Sequence, residues 1–260
     1  MSWKAIGQSV IGSSHVVDGK GCEDAIGFGA LQTAGEEPVL IAFVSDGAGS
    51  AIYAAEASKK AVDTALAQVV QWITDGVDIE DNHLVELAEL IYDELAGAAE
   101  TNNCPIDEYS CTLLGAIIYP GKACYMQIGD GAIVRNPGDG YHTHVWWPHN
   151  GEYQNTTSFI TDDPNFKNLK TKVIDEQVSE IAMFTDGLQM LALNNELQTA
   201  HQPFFEGFFN ALRVAQKEEQ VLGLNDRLGT YLSGDAINSR TDDDKTLFLA
   251  TKIVTGNAGL

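Results

Sequence analysis

The clearest hydrophobic pattern in the chain is a set of short, continuous apolar runs that end in turn residues. Residues 39–45 read V-L-I-A-F-V-S and end abruptly at Asp46-Gly47-Ala48-Gly49. A run of this length, rich in β-branched and aromatic residues, is typical of a buried strand that enters a glycine turn. Other runs predict further strands at 111–119, 123–128, 132–135, 181–185 and 246–253.

A second pattern, with apolar residues three or four positions apart, predicts three amphipathic helices. The first covers about 52–73, and its apolar face is Ala54, Ala57, Ala61, Ala65, Val69 and Ile73. The second has Asp81 or Asn82 as its N-cap, and its apolar face is Leu84, Leu87, Ala88, Ile91, Leu95 and Ala98. The third covers 203–216, and its inward residues are Phe204, Phe205, Phe208, Leu212 and Ala215.

The order of these elements indicates the fold class, because strands follow one another through short turns and helices come in pairs. That order is typical of antiparallel sheets covered by helices rather than of alternating βαβ units. We therefore predict a layered α+β sandwich, with residues 1–260 in a single domain. The polar stretch 148–170 has little periodicity and is long enough to form a mobile lid.

Composition limits the classes of function. The chain has 260 residues, of which 44% are hydrophobic, and its formal net charge is −22. Nucleic acids and anionic membranes are bound largely through Lys and Arg, so we expect neither as a partner. Four cysteines without paired metal-site spacing predict reduced thiols. The chain has no apolar leader and no apolar run of about 18 residues, so we expect a cytoplasmic protein without a membrane span.

Aspartates at the ends of the predicted strands carry the candidate chemistry. Three strands end in an Asp-Gly pair, and a fourth is preceded by an Asp triplet. These features are Asp46-Gly47, Asp130-Gly131, Asp186-Gly187 and Asp242-Asp243-Asp244. If the strand ends converge, several carboxylates meet beside a buried sheet, where their repulsion favours a bound cation. Oxygen ligands without His or Cys favour Mg²⁺, Mn²⁺ or Ca²⁺ over Zn²⁺.

Several of these features also have a purely structural interpretation. A single Asp-Gly pair is most often a turn, and an Asp triplet also suits a solvated loop or a helix cap. His142 and His144 lie two apart on one strand face, but without a third ligand we interpret them as exposed polar residues. Trp146 and Trp147 are interpreted as packing residues. The metal hypothesis therefore depends on the convergence of several strand ends.

Six short motifs, taken in order, resemble those of type 2C metal-dependent protein phosphatases. The motifs are Cys22-Glu23-Asp24, Asp46-Gly47-Ala48-Gly49, Ser110-Cys111-Thr112, Gly129-Asp130-Gly131, Thr185-Asp186-Gly187-Leu188 and Asp243-Asp244-Lys245-Thr246. The resemblance extends over about residues 5–253 and is strongest to a compact bacterial branch of that family. It implies a four-layer α-β-β-α sandwich, in which two central antiparallel sheets are flanked by helix pairs and the metals lie at one end of the cleft.

The resemblance also implies a ligand set for two Mn²⁺ or Mg²⁺ ions. Asp46 would bridge both ions, and Asp186 and Asp243 would complete the first site. The carbonyl group of Gly47 would hold the second ion, which Glu23 would reach through water. Two such cations lower the pKa of a bridging water and stabilise the charge that develops during attack on phosphorus. Asp46, Asp186 and Asp243 are accordingly the candidate catalytic residues.

Further roles follow from the resemblance, one of them at a position where this chain differs from the family. Asp24 would support the metal ligands, and Asp130 matches a residue that helps to bind a third ion in bacterial members. The family usually has an Arg that grips the substrate phosphate at the position occupied here by Gly19. Lys20 and His15 are the nearby candidates for that contact, although Lys offers a point charge in place of a planar fork.

The expected activity is hydrolysis of phosphoserine and phosphothreonine in proteins. The expected partners are phosphoprotein substrates and, by resemblance to bacterial relatives, a cognate Ser/Thr kinase and its targets. One alternative is a catalytically weak relative that keeps the fold and the metals and acts as a regulatory or binding partner. A phosphatase of the haloacid dehalogenase type would need an Asp-x-Asp pair after the first strand, which Asp46-Gly47-Ala48 does not provide.

Overall fold

Twelve strands and seven helices form the part of the chain that the computed structural model describes, residues 3–32, 38–148 and 157–253. The strands are β1 (Trp3–Val10), β2 (Asp24–Leu31), β3 (Val39–Asp46), β4 (Leu113–Tyr119), β5 (Lys122–Ile128), β6 (Ala132–Asn136), β7 (Thr143–His144), β8 (Lys170–Ile174), β9 (Glu180–Phe184), β10 (Leu193–Asn194), β11 (Thr199–Ala200) and β12 (Lys245–Lys252). The helices are α1 (Ser13–Asp18), α2 (Ala54–Thr74), α3 (Asp81–Thr101), α4 (Gln189–Ala192), α5 (Gln202–Val214), α6 (Glu218–Leu232) and α7 (Asp235–Asn238).

The strands form two five-stranded sheets and one short ribbon. The first sheet has the order β1-β12-β9-β6-β7, the second has the order β2-β3-β4-β5-β8, and β10 pairs with β11. All neighbouring strands in both sheets are antiparallel. One apolar core lies between the sheets, a second lies under α2 and α3, and a third lies under α5 and α6. The predicted α-β-β-α sandwich with two antiparallel sheets is therefore confirmed.

Strand β3 shows why the apolar runs of the sequence are continuous rather than alternating. Successive side chains of a strand point to opposite faces of the sheet. Ile41 and Phe43 pack in the core beneath the helices, whereas Leu40 and Val44 pack in the core between the sheets. Because both faces of the sheet are covered, residues 39–44 are all apolar, as in other doubly covered sheets.

Sequence periodicity located the central strands and three long helices within a few residues. It missed β1, β2, β8, α1 and α6, together with the short elements β7, β10, β11, α4 and α7. Helix α6 buries only Leu228 and Leu232 fully, so its apolar stripe is too narrow to give a helical signal. Two details were wrong. The N-cap of α3 is Glu80, whose backbone N–H donates to Nδ1 of His83 at 3.1 Å. On α5 the fully buried residues include Phe209, which the pattern did not select.

The interpretation of His142 as an exposed residue is wrong. Its side chain is buried, stacks on Phe209 with ring centroids 4.7 Å apart, and places Nε2 3.0 Å from Oε2 of Glu180. Arg213 binds the same carboxylate through Nε at 2.6 Å and Nη2 at 2.7 Å. Burial acts to raise the pKa of Glu180, but the hydrogen bonds and charges of His142 and Arg213 lower it to about 2. His144 is half-buried, and its ring meets that of Trp147 edge-on.

The predicted lid at 148–170 lies partly outside the described residues, which omit 149–156. The described remainder packs against the fold rather than standing away from it. Ile160 and Phe166 are buried in the core beneath α2 and α3, and the Ile160 N–H donates to the Cys111 carbonyl at 2.9 Å. For residues 157–169 this packing contradicts the expectation of a mobile lid. Trp146 and Trp147 also contact the cores, as predicted.

Two further expectations concern thiols and membranes. Cys22, Cys104, Cys111 and Cys124 are all free, in agreement with the prediction of reduced thiols. Within the described ranges, we find no helix with the length and apolar character needed to cross a bilayer.

Candidate metal centre

Ends of strands from both sheets meet at one end of the sandwich, and the predicted aspartates lie there. Asp24, the first residue of β2, stands opposite Asp46, the last residue of β3, in the ladder of the second sheet. Oδ2 of Asp24 accepts hydrogen bonds from the hydroxyl groups of Thr185 at 2.9 Å and Thr246 at 2.7 Å, which belong to the first sheet's side of the cleft. Asp24 therefore links the two sheets at the point where Asp186 follows β9.

The carboxyl groups at this end strongly perturb one another. Burial, followed by the charges of Asp24 and Asp186, holds the pKa of Asp46 well above its usual range. Burial and the charges of Asp130 and Asp243 raise the pKa of Asp186 to about 6, although a hydrogen bond with Asp46 acts in the opposite direction. Burial also raises the pKa of Asp24 to about 8, against the hydrogen bonds from its two threonine partners. The site thus concentrates negative charge that the protein alone does not neutralise.

These residues fit a hard divalent cation. Three of their buried oxygens have no hydrogen-bond partner, namely Oε2 of Glu23, Oδ1 of Asp24 and Oδ1 of Asp186. Unpartnered buried oxygens are costly, and a cation would satisfy them and remove the repulsion between carboxylates. No three His, Cys, Asp or Glu side chains in the described ranges already form a cage around a cation position. Cation binding therefore requires the carboxylates to turn toward one another.

The backbone around Asp46 is fixed by neighbours that the motifs contain but whose roles were not predicted. The hydroxyl group of Thr112 accepts a hydrogen bond from the Asp46 N–H at 3.0 Å, and the Thr112 N–H donates to the Asp46 carbonyl at 2.8 Å. Gly47 lies against the first turn of α2, where a side chain would collide with the carbonyl group of Ala54. Only glycine therefore allows the chain to turn so closely beneath the helix.

Asp244 has a structural role that the sequence analysis did not assign. Its side chain is buried, and its carboxylate accepts hydrogen bonds from the N–H groups of Gly12 and Glu23. It stands next to Asp243, whose Oδ1 accepts a hydrogen bond from the Asp244 N–H at 2.8 Å. The charge of Asp243 helps to raise the pKa of Asp186, while Asp244 holds the segment that carries Glu23. The adjacent pair of aspartates was the signal available in the sequence.

Asp130, the predicted ligand of a third ion, lies beside Asp186. Its charge is the largest single electrostatic contribution, after burial, to the raised pKa of Asp186. The hydroxyl group of Thr157 donates to its carboxylate, and the side-chain amide of Gln189 donates to its carbonyl. Neither partner was identified from the sequence, because each reaches Asp130 from a distant segment.

The two predicted phosphate-binding residues both contact Glu23. Nζ of Lys20 lies 3.1 Å from Oε1 of Glu23 and donates to the Gly49 carbonyl at 2.8 Å. Nδ1 of His15 lies 3.0 Å from Oδ2 of Asp244, and its Nε2 lies 3.5 Å from Oε2 of Glu23. The structure therefore places Lys20 and His15, the two residues selected from the sequence, beside Glu23 at one edge of the centre.

Gly19, at the position where the family usually carries Arg, has a backbone conformation that disfavours any side chain. It follows the last residue of α1 with φ 70° and ψ 20°, in the left-handed region. Its N–H donates to the Val16 carbonyl at 3.3 Å, which closes the helix end. Glycine is the usual residue at such a helix end, and another residue there would be strained. An Arg at position 19 would therefore be strained in this conformation.

Comparisons with known proteins agree with this geometry. The sequence profile of the family described as protein phosphatase 2C matches residues 11–233. Serine/threonine-protein phosphatase 3 of Escherichia coli strain K12 is 38% identical over 251 residues, which cover 96% of this chain and 98% of that protein. Serine/threonine phosphatase Stp1 from Staphylococcus aureus superposes with a TM-score of 0.59 at 17% identity, covering 96% of this chain and 95% of that one.

A further structural neighbour is the catalytic domain of the serine threonine protein phosphatase PstP, solved in complex with two manganese ions. Its TM-score is 0.59 at 15% identity, and the superposition covers 97% of this chain and 99% of that one. At such identities the solved structures support the fold alone. The fold and the carboxylate centre define a metal-dependent protein phosphatase. The length and identity of the sequence matches place the chain in the protein phosphatase 2C family.

Replacing Asp46 by Asn tests whether the centre is built for a cation. In EDTA, we expect the free energy of unfolding of Asp46→Asn to stay within about 1 kcal/mol of wild type or to rise, because a buried ionised carboxylate is already disfavoured. With Mn²⁺ at about a hundred times its Kd, wild type should gain about 3 kcal/mol, and the variant should lose most of that gain. Urea unfolding with and without Mn²⁺ measures both.

The matched control is Asp226→Asn, which removes an exposed carboxylate on α6. It should keep the full Mn²⁺ stabilisation. If Asp46→Asn also keeps it, Asp46 is not a metal ligand and the carboxylate centre has another purpose.

Proposed function

We propose that this chain hydrolyses phosphoserine and phosphothreonine in proteins with two Mn²⁺ or Mg²⁺ ions, and that a third ion binds at Asp130. One observation carries the proposal: buried carboxylates from both sheets repel one another while several of their oxygens lack partners. A similar Escherichia coli protein bears the name serine/threonine-protein phosphatase, and a structural neighbour was solved with two manganese ions. These comparisons support the substrate class and the number of ions.

Within this proposal, the ligands divide between two ions. Asp46 would contribute to both, Asp186 and Asp243 would complete the first site, and the Gly47 carbonyl and Glu23 would serve the second. When bound, the ions supply the positive charge that activates water and neutralises the phosphoryl oxygens. Because burial and neighbouring charges raise the pKa values of Asp46 and Asp186, both carboxyl groups must be deprotonated before they can act as ligands.

Residues that touch no ion keep the ligands in place. Thr112 fixes the backbone of Asp46, and Asp24 joins the two sheets through Thr185 and Thr246. Asp244 holds the segment that carries Glu23. These contacts fix the backbone that carries the ligands, so only side chains need to turn when an ion binds. Such preorganisation is a large part of electrostatic catalysis.

Lys20 is the residue that we assign to the substrate phosphate. Its ammonium group lies at the edge of the centre, and its present partners are the Glu23 carboxylate and the Gly49 carbonyl. If Glu23 turns toward an ion, the Lys20 ammonium is released to pair with a phosphoryl oxygen. His15 is enclosed between Glu23 and Asp244, so we assign it to the positioning of Glu23 rather than to the phosphate.

The setting of the activity is also a proposal. We infer that the phosphoprotein substrates are products of a Ser/Thr kinase in the same compartment, and that this compartment is the cytoplasm. Support comes from the resemblance to bacterial phosphatases and from four free thiols, which suit a reducing compartment.

Removal of metal should abolish turnover. We expect hydrolysis of p-nitrophenyl phosphate and of a phosphothreonine peptide in Mn²⁺, and none in EDTA, because the carboxylates alone repel a phosphate dianion. Asp46→Ala and Asp186→Ala should each lower kcat/KM at least about a hundredfold. Asp226→Ala should retain wild-type activity. A wild-type protein that binds Mn²⁺ and hydrolyses neither substrate would contradict the phosphatase proposal and favour a regulatory or binding role.

Lys20 should affect the substrate more than the metal. We expect Lys20→Ala to raise KM for p-nitrophenyl phosphate about tenfold, the size of one lost charge-assisted hydrogen bond. Lys20→Arg should recover most of the loss, and Mn²⁺ stabilisation should persist in both. Lys59→Ala, which removes an exposed Lys that pairs with Asp63 on α2, is the control. An unchanged KM in Lys20→Ala would remove Lys20 from the phosphate site.

A further inference from the structure

A cavity of about 530 Å³ opens directly beside the candidate metal centre. One wall is the segment that carries Lys20 and Glu23, and the other is the N-terminal end of α2 with the residues before it. Ala51, Ile52 and Tyr53 give the second wall an apolar surface. The cavity therefore lies where residues next to a phosphorylated side chain would pass.

The end of the cavity that is nearest to the candidate metal centre, called the near end below, is polar. The Glu23 side chain is only 9% exposed, lines the cavity, and has an Oε2 atom without a hydrogen bond. In the proposed function this oxygen turns toward a bound ion. Because the ions would hold the phosphate, the proposed function places the phosphate at the near end of the cavity.

The far end of the cavity is acidic and continues into a second one. Glu56 lines the first cavity and also a neighbouring cavity of about 350 Å³ between α2 and α3. The charged residues around that second cavity are Glu56, Asp93 and Glu94, with Lys60 as the single cation. Glu56 stands close to the Tyr109 hydroxyl, whose pKa is raised by burial and by this carboxylate. The Glu56 carboxylate therefore marks the junction of the two cavities.

An apolar side chain is held open to solvent between these two polar ends. Ile52 is 75% exposed, and its backbone N–H donates to Oε2 of Glu108 at 2.8 Å. The N–H of the next residue, Tyr53, donates to the Glu108 carbonyl at 3.0 Å. These two bonds fix the backbone that presents Ile52 on the wall of the cavity. A fixed and exposed aliphatic side chain is suited to cover the methylene stem of a ligand.

We propose that this cavity is the subsite for a Lys or Arg side chain that flanks the phosphorylated residue of the substrate. The stem lies on Ile52 and Tyr53, and the cationic end pairs with Glu56. The inference rests on the proposed phosphatase function and adds a substrate preference to it. The positive charge of Lys20 does not oppose this preference, because in the proposed function Lys20 pairs with the substrate phosphate at the opposite end of the cavity from Glu56. An acidic flanking residue would meet Glu56 and the carboxylates beyond it.

Peptide substrates that differ in one flanking side chain test the subsite. Phosphothreonine peptides carry Arg, its uncharged aliphatic counterpart norleucine, or Glu, placed in turn at each position on either side of the phosphothreonine. We expect one position at which kcat/KM is highest for Arg and lowest for Glu. At that position Glu56→Gln should reduce the ratio of Arg to norleucine about threefold, the size of one exposed ion pair. Ile52→Ser should lower kcat/KM for Arg and norleucine alike.

A distant carboxylate separates the local effect from the strong negative charge of the whole chain. Glu206→Gln removes one exposed negative charge on α5, as Glu56→Gln does on α2, and it should leave the ratio of kcat/KM for Arg to that for norleucine unchanged. Turnover of p-nitrophenyl phosphate, which has no flanking residue, should be the same in wild type and all three variants. If wild type hydrolyses p-nitrophenyl phosphate but Glu56→Gln leaves the ratio unchanged, or Glu206→Gln lowers it equally, the subsite is refuted. If wild type hydrolyses nothing, the phosphatase proposal itself fails.

Discussion

Repulsion between buried carboxylates is the constraint on which the rest of the structure depends. Asp46 and Asp186 lie at the end of the sandwich, where burial and the charges of neighbouring aspartates, Asp243 among them, raise the pKa of each carboxyl group. A chain that folded only for stability would avoid such an arrangement, because apolar residues would fill the same space at lower cost. The two sheets, their turns and their loops instead hold these groups together. A bound cation would therefore relieve the electrostatic repulsion between the carboxylates of the active centre.

The surrounding contacts show how the fold sustains that repulsion. Asp24 joins the sheets through two threonine hydroxyls, and Asp244 receives the N–H groups of two separate loops. The largest contribution to stability comes from the three apolar cores, which lie behind the centre and cover both faces of each sheet. The site is thus placed at the edge of a rigid scaffold, where solvent and substrate reach it without disturbing the cores.

Whether a strand or helix could be predicted from the sequence depended on how many apolar residues it buries. Strand β3 was recognised because both of its faces are covered, whereas α6 was missed because it buries so little. Asp46, Asp130, Asp186 and Asp243 were found because each follows or precedes a buried strand, whereas Asp24 was identified only through the family resemblance. The environment of His142 was not predictable, since its partners Glu180 and Gln202 come from distant segments. For the same reason the roles of Thr157 and Gln189 beside Asp130 appeared only in three dimensions.

The most direct test of the central claim is diffraction at the manganese absorption edge from crystals grown with Mn²⁺. The account predicts two anomalous peaks at the end of the cleft between the sheets, with carboxylate oxygens of Asp46, Asp186 and Asp243 about 2 Å from the ions. That result would show that the repelling carboxylates exist to hold cations. Peaks found only elsewhere on the acidic surface, with the three aspartates still turned apart, would contradict the account.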